Sequence, residues 1–329
     1  MPLLHFIPAS ALALCLLLPT PAKSEDKPKQ LVLISFDGAH DNVLWTKSRE
    51  MARRNGAHFT YFLSCTFLMN HEQAKAYQGP GHRPGKSNVG FAHTDEEVRT
   101  RIANIWEAHQ EGADISSHAC GHFDGKNFTK ADWTQEFGAA REALRDAWKN
   151  SGAAAEEPAG WQDFATHGVK GFRAPYLSTN DGLVAAEKEA GFVYDASLVT
   201  RGAMLPKTVD GIARFGLPLI PEGPDHRLVI GMDYNLYVRH SKGIEDPANS
   251  KTYEERSFGA YESAFKTQYD GDRIPLQLGF HFVEMNAGAY WRALDRFVSD
   301  VCHKPDVACV SYSEALPLIA GRATAASGL

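Results

Sequence analysis

The apolar positions of this chain fall into short runs that alternate with longer amphipathic stretches. Residues 30–36 are apolar and rich in β-branched side chains, and the run ends at Asp37. Residues 43–55 follow with helical spacing, and 58–64 is the next apolar run. A polar helix is predicted over 95–111, leading through Gly112 into a strand at 113–117. Further strands are predicted at 170–173, 192–195, 228–232, 274–282 and 307–311, and helices at 130–149, 181–190, 252–269 and 289–301. Strand followed by helix, repeated, predicts parallel strands in either an α/β barrel or a doubly wound sheet. Two segments break the rhythm. Residues 70–93 carry Gly79-Pro80-Gly81 and Pro84-Gly85 with little periodicity, and 151–166 is similarly patternless. A loop as long as 70–93 inside a compact domain is usually functional or disordered, and because this one follows the second strand it is expected to be functional.

The first residues differ from the rest. Residues 3–18 are almost wholly apolar, too short a run for a comfortable membrane span, and Thr20-Pro21-Ala22 supplies a small-x-small pattern. Residues 1–22 are therefore read as a signal peptide and 23–329 as one exported domain, without stable membrane insertion after cleavage. The net charge of −6 and the lack of a long basic run exclude nucleic acid as an expected partner. Cys65, Cys120, Cys302 and Cys309 remain after cleavage, an even number compatible with two disulfides in an oxidising compartment. No CxxC pair points to a thiolate zinc site.

Four short motifs stand at or just past the predicted strand ends, where α/β barrels place their chemistry. They are Ser35-Phe36-Asp37-Gly38, His118-Ala119-Cys120-Gly121-His122, Gly171-Phe172-Arg173-Ala174-Pro175-Tyr176, and Leu278-Gly279-Phe280-His281. Two histidines four apart can reach one metal, although HxxxH alone is weak evidence. Together the motifs fit one reaction. Imidazoles hold a metal that activates water, a carboxylate such as Asp37 takes the proton, and Arg173 keeps that carboxylate ionised. A backbone N–H near Tyr176 stabilises an oxyanion, and His281 protonates the leaving atom.

The order of these motifs resembles the polysaccharide deacetylase family, carbohydrate esterase family 4, over about residues 30–320. Phe172 to Tyr176, with Asn180 and Gly191-Phe192-Val193-Tyr194-Asp195, resembles the arthropod chitin deacetylase form in particular. The resemblance implies a distorted (β/α) barrel acting on acetylated polysaccharide or oligosaccharide with a divalent metal, zinc by expectation. It implies Asp37 as general base, His118 and His122 as metal ligands, Arg173 as the residue positioning the base, and Tyr176 at the oxyanion hole. His281 would be the general acid, oriented by an aspartate. Asp233 is the favoured candidate for that aspartate and Asp195 the rival. In such a fold Cys65 and Cys120 follow neighbouring strands, and Cys302 and Cys309 flank a short turn, so Cys65–Cys120 and Cys302–Cys309 are the expected bridges.

The chain departs from the family pattern at two positions. Ala119 replaces a hydroxyl residue, and Gly38 stands where a second aspartate would supply the third metal ligand. Asp41 is the nearest replacement, expected either as a ligand or as the N-cap of the following helix. Two other classes stay open at this level. One is a carbohydrate-binding protein that has lost turnover. The other is an unrelated barrel hydrolase pairing Asp37 with Asp233.

Overall fold

A computed structural model describes residues 27–327, the last five by backbone alone, and the expected signal peptide lies outside the described residues. The first strand sets the architecture. β1 (Gln30–Gly38) is buried along almost its whole length, as its unbroken apolar run requires of a central parallel strand. Its side chains divide by the period of two. Val32, Ile34 and Phe36 pack outward into the large cluster shared with the helices, whereas Leu31 and Leu33 join a separate inner cluster with Phe62, Tyr194, Phe215 and Tyr312. Ser35 and Asp37 continue the inner row, so Asp37 arrives at the strand's end facing the interior.

Parallel strands extend the sheet on both sides of β1. On one edge lie β2 (Thr60–Leu63), β3 (Asp114–Ser117), β4 (Gly171–Phe172) and β5 (Tyr194–Thr200). The short strand β6 (Lys207–Val209) is antiparallel to β7 (Ile212–Glu222), which runs parallel to β5. β8 (Arg227–Ile230) folds back on β7 as an antiparallel hairpin arm, so most of the expected strand at 228–232 pairs in the antiparallel sense. The other edge of β1 takes β9 (Leu276–His281), while β10 (Val307–Cys309) pairs with the first residues of β1 on the β2 side. The sheet curls until residues 231–232 touch both of its arms. Gly231 donates to Pro218 of β7, its carbonyl accepts from Gly279 of β9, and Met232 bridges Gly279. The fold is thus a curled α/β half-barrel of mainly parallel strands.

Several elements depart from the expected ones. The predicted helix at 130–149 is two, Lys130–Arg145 and Ala147–Asn150, and the patternless stretch 70–93 contains a capped helix at His71–Ala76. β7 escaped the sequence reading because Gly216, Pro218 and Pro221 interrupt its apolar run. The terminal helix Tyr312–Ser327 was also missed. Cys65–Cys120 and Cys302–Cys309 lie at bridging separations, with Cα atoms 4.3 and 5.6 Å apart. No helix among the described residues is long and apolar enough to cross a membrane.

Candidate active site

Strand geometry delivers the motif residues to one rim. Asp37 is the penultimate residue of β1, His281 is the last of β9, and the two are register partners. His118 and Arg173 directly follow β3 and β4, whose ends pair through Ser117 and Phe172. Arg173 is fully buried. Its Nη1 donates to Asp37 Oδ1 at 2.8 Å and to Ser35 Oγ at 2.8 Å, its Nη2 to the Tyr312 hydroxyl at 3.0 Å, and its Nε to the Ala196 carbonyl at 3.0 Å. Burial alone would push the Asp37 carboxyl up. The Arg173 guanidinium, helped by His118 and His281, overrides that and holds it below the ordinary carboxylate value.

His281 is prepared in the opposite sense. Asp233, fully buried, accepts from His281 Nδ1 at 2.6 Å through one oxygen and from the His281 backbone N–H at 2.8 Å through the other. A carboxylate only accepts, so Nδ1 carries the hydrogen and Nε2 is the working atom. Burial pushes the imidazole down, but the Asp233 charge and hydrogen bond outweigh it and raise the pKa above the usual value. Of the two candidate orienting aspartates, Asp233 is the one bonded to His281. Asp195 lies elsewhere, paired with Arg214.

The paired histidines sit in a tightly built loop. His118 Nδ1 donates to the Arg173 carbonyl at 2.7 Å, which fixes its tautomer and leaves Nε2 with a lone pair. The His122 ring lies 5.0 Å from that of His118 and 5.0 Å from that of Tyr176, and its buried Nδ1 has no hydrogen-bond partner. Burial lowers the pKa of both, and the neighbouring His118 helps push His122 down to about 3. The turn between them rests on Glu136, whose carboxylate accepts from the N–H groups of Cys120 and Gly121 at 3.1 and 3.0 Å and from the Tyr77 hydroxyl. A Cβ at Gly121 would collide with Phe123 and the Tyr77 hydroxyl, so the close approach needs glycine there. Asn88 donates to the His122 carbonyl at 3.0 Å, which brings the expected functional loop 70–93 against the site.

Two neutral imidazoles with free ring nitrogens suit a divalent cation of the zinc type. Among the described residues, however, no group of three or more His, Cys, Asp or Glu side chains is arranged to hold one. Gly38 contributes no side-chain donor, and of the two expectations for Asp41 the structure shows the cap. Asp41 Oδ1 accepts from the N–H groups of Val43 and Leu44 at 2.8 and 2.9 Å, capping the helix Asn42–Asn55. His118 and His122 would offer a metal two imidazole donors, a more open set than the usual three-ligand catalytic one.

Asp37, His122 and His281 line a cleft of about 210 Å³ together with Phe67, Val89 and Val283. A larger hollow of about 710 Å³ over Glu96, Arg99 and Glu107 contains none of the motif residues. Tyr176 is 58% exposed beside the cleft, in a left-handed conformation (φ 58°). Ser35, Asn88, Glu136 and Tyr312 were not foreseen from the sequence. Ser35 does stand in the first motif and Asn88 in the expected loop, while Glu136 left a fainter signal, an acidic residue on the apolar helical face between Trp133 and Phe137.

No family model matches the chain, and no curated protein does. Similar solved structures exist at low identity. A structure from Mycobacterium smegmatis described as a polysaccharide deacetylase is 16% identical, with 92% of this chain and 94% of that one covered and a TM-score of 0.54. A second, from Pseudomonas aeruginosa PAO1 and likewise described as a polysaccharide deacetylase, is 13% identical over 88% and 91% of the two chains, with a TM-score of 0.52. A third, from Bacillus anthracis and described as a CE4 family pseudoenzyme, is 10% identical over 88% and 66%, with a TM-score of 0.46. At these identities the likeness concerns architecture, and the chain has the polysaccharide deacetylase fold.

Proposed function

We propose that this chain, as one exported catalytic domain, removes N-acetyl or O-acetyl groups from a polysaccharide or oligosaccharide with the help of a divalent metal. The observation that carries this reading is the opposite preparation of two register partners at one cleft. Asp37 is held ionised by Arg173, and His281 is held ready to carry a proton by Asp233. That is the division of labour that hydrolysis of an amide or ester by water requires. Asp37 takes the proton from the attacking water. The tetrahedral oxyanion forms beside the N–H of Tyr176. His281 Nε2 then passes its proton to the sugar nitrogen or oxygen, and acetate leaves. His118 and His122 would hold the metal, whose chemistry is to lower the pKa of water and polarise the acyl carbonyl.

The motif resemblance to chitin deacetylases favours N-acetylglucosamine polymers among the substrates. Metal analysis of purified protein, paired with acetate release from chitin oligomers, peptidoglycan and acetylated xylan, tests the reading. Acetate from at least one glycan, abolished by Asp37→Asn, is expected. Tight glycan binding without acetate release would instead establish a binding protein, the reading that the missing donor at Gly38 favours.

A further inference from the structure

The short segment between Arg173 and Tyr176 must satisfy three demands at once. It carries the arginine that holds Asp37, its Arg173 carbonyl fixes the His118 tautomer, and it ends in the left-handed Tyr176. Left-handed Tyr176 and Leu177 (φ 58° and 56°) are unfavourable for residues with a Cβ, so surrounding bonds must hold them there. On one side Arg173 N–H donates to the Ser117 carbonyl of β3 at 3.0 Å. The other side is held by β5.

β5 bulges where it meets this segment. Its register against β7 slips between Asp195 and Leu198, so that Ala196 and Ser197 together stand against Phe215 alone. The two bulged residues do not face idle space. The Ala196 carbonyl accepts from Arg173 Nε at 3.0 Å, and Ser197 Oγ accepts from the Ala174 N–H at 2.8 Å. Ser197 in turn donates its hydroxyl hydrogen to Asp195 Oδ1, and Asp195 Oδ2 lies 2.8 Å from Arg214 Nε. Ser197 and Asp195 are both essentially fully buried. The hydroxyl therefore has its hydrogen committed to a carboxylate and its lone pair aimed at one backbone N–H, the orientation of an obligate acceptor. Glu187 also belongs to this cluster. Burial and the Asp195 charge push its carboxyl up to about 9, and Arg214 Nη1 lies 3.7 Å from it.

We propose that Ser197, oriented by Asp195 and Arg214, is a positioning residue that fixes the Ala174 peptide and thereby aims the Tyr176 N–H at the reacting carbonyl. This rests on the deacetylase reading for its catalytic half. The brace itself does not. A donor displaced by about 1 Å from a developing oxyanion forfeits much of its worth, so the effect falls on the chemical step rather than on binding.

Two measurements on the full-length protein test it, with Ser197→Ala as the disruptive variant and Ser197→Thr as the conservative one. Amide hydrogen exchange over residues 173–178 is expected to quicken at least about tenfold in Ser197→Ala, with protection elsewhere unchanged, and to stay near wild type in Ser197→Thr. Unchanged exchange in Ser197→Ala would overturn the brace, whatever the activity of the protein. On a glycan that the wild type deacetylates, Ser197→Ala is expected to lower kcat roughly 10- to 100-fold with KM within about twofold, and Ser197→Thr to recover most of the loss. Faster exchange with kcat unchanged, or a raised KM with kcat intact, would overturn the positioning role. Global unfolding of Ser197→Ala would transfer both measurements to Ser197→Cys, where a poor acceptor is expected to show the same two effects. A wild type inactive on every glycan overturns the deacetylase reading and the catalytic half with it, and exchange still decides the brace.

Discussion

Asp37 and His281 occupy matching positions on the parallel pair β1–β9, so their side chains emerge side by side on the inner face of the sheet. Two groups proposed for opposite proton transfers are thus held at the spacing of adjacent strands, and no loop is needed to bring them together. Regular strands are a more exact support for such a pair than mobile loops are. Their separate partners, Arg173 and Asp233, then push the two groups toward different protonation states.

Because the pair acts as a unit, its losses should not add. Asp37→Asn and His281→Ala are each expected to lower kcat roughly 100- to 10,000-fold with little change in KM. The double variant should fall well short of the product of the two. Steady-state kinetics on one deacetylated glycan checks this, and a KM effect with kcat intact would make His281 a substrate contact.

On the deacetylase reading, the Asp233–His281 bond should set the alkaline limit of activity. Asp233 raises the His281 pKa, so the proton needed for the leaving atom is retained to higher pH than an ordinary imidazole allows. Asp233→Asn removes the charge, and the alkaline limb of kcat/KM is expected to move toward lower pH by about one unit. A pH–rate profile with an unmoved limb would assign that limb to another group.

Metal content separates the roles of positions 38 and 41. Asp41→Ala removes the cap and should cost about 1 kcal/mol of stability while leaving metal stoichiometry unchanged. Gly38→Asp should raise metal occupancy, since a Cβ there meets nothing nearer than the Phe67 ring at 3.8 Å. Its φ of 85° makes the substitution strained, by about 1 kcal/mol or more. Elemental analysis and thermal unfolding of both variants are the measurements. A fall in metal content in Asp41→Ala would restore Asp41 as a ligand.

The two bridges should differ in their effect on stability. Cys65–Cys120 spans a sequence separation of 55 and Cys302–Cys309 one of 7. Loop-closure entropy makes the longer one worth about 2 kcal/mol more. Pairwise Cys→Ser replacement followed by denaturant unfolding checks the difference, and peptide mapping without reduction checks the pairing.

Much of the sheet was legible because buried parallel strands write continuous apolar runs, as residues 30–36 do. β4 has only two residues and β7 is broken by glycine and prolines, so neither carries a clear period. The candidate site was legible where it sits at strand ends, as with the positions of Asp37, His118, Arg173 and His281. Its supports were not. Ser35 and Tyr312 meet Arg173 across separations of 138 and 139 residues, and Ser197 reaches Ala174 only because β5 bulges. Such contacts are products of packing and leave no local pattern. Asp41 shows the converse, a carboxylate placed suggestively in sequence that local geometry commits to capping a helix.

Tyr312 gives the site an order in time. It is the first residue of the terminal helix, it is wholly buried within the sheet's inner cluster, and its hydroxyl joins Arg173 to Gln277 of β9. A nascent chain therefore makes β1 and Asp37 long before Tyr312, so the full set of bonds around Arg173 waits for residue 312. Pairing β1 with β9 and β10 imposes the same wait, because both partners are late in the chain. Folding that depends on such distant pairings is slow and leaves a half-made sheet edge exposed meanwhile. If the chain is exported, as proposed, such a delay would keep it unfolded long enough to thread a membrane.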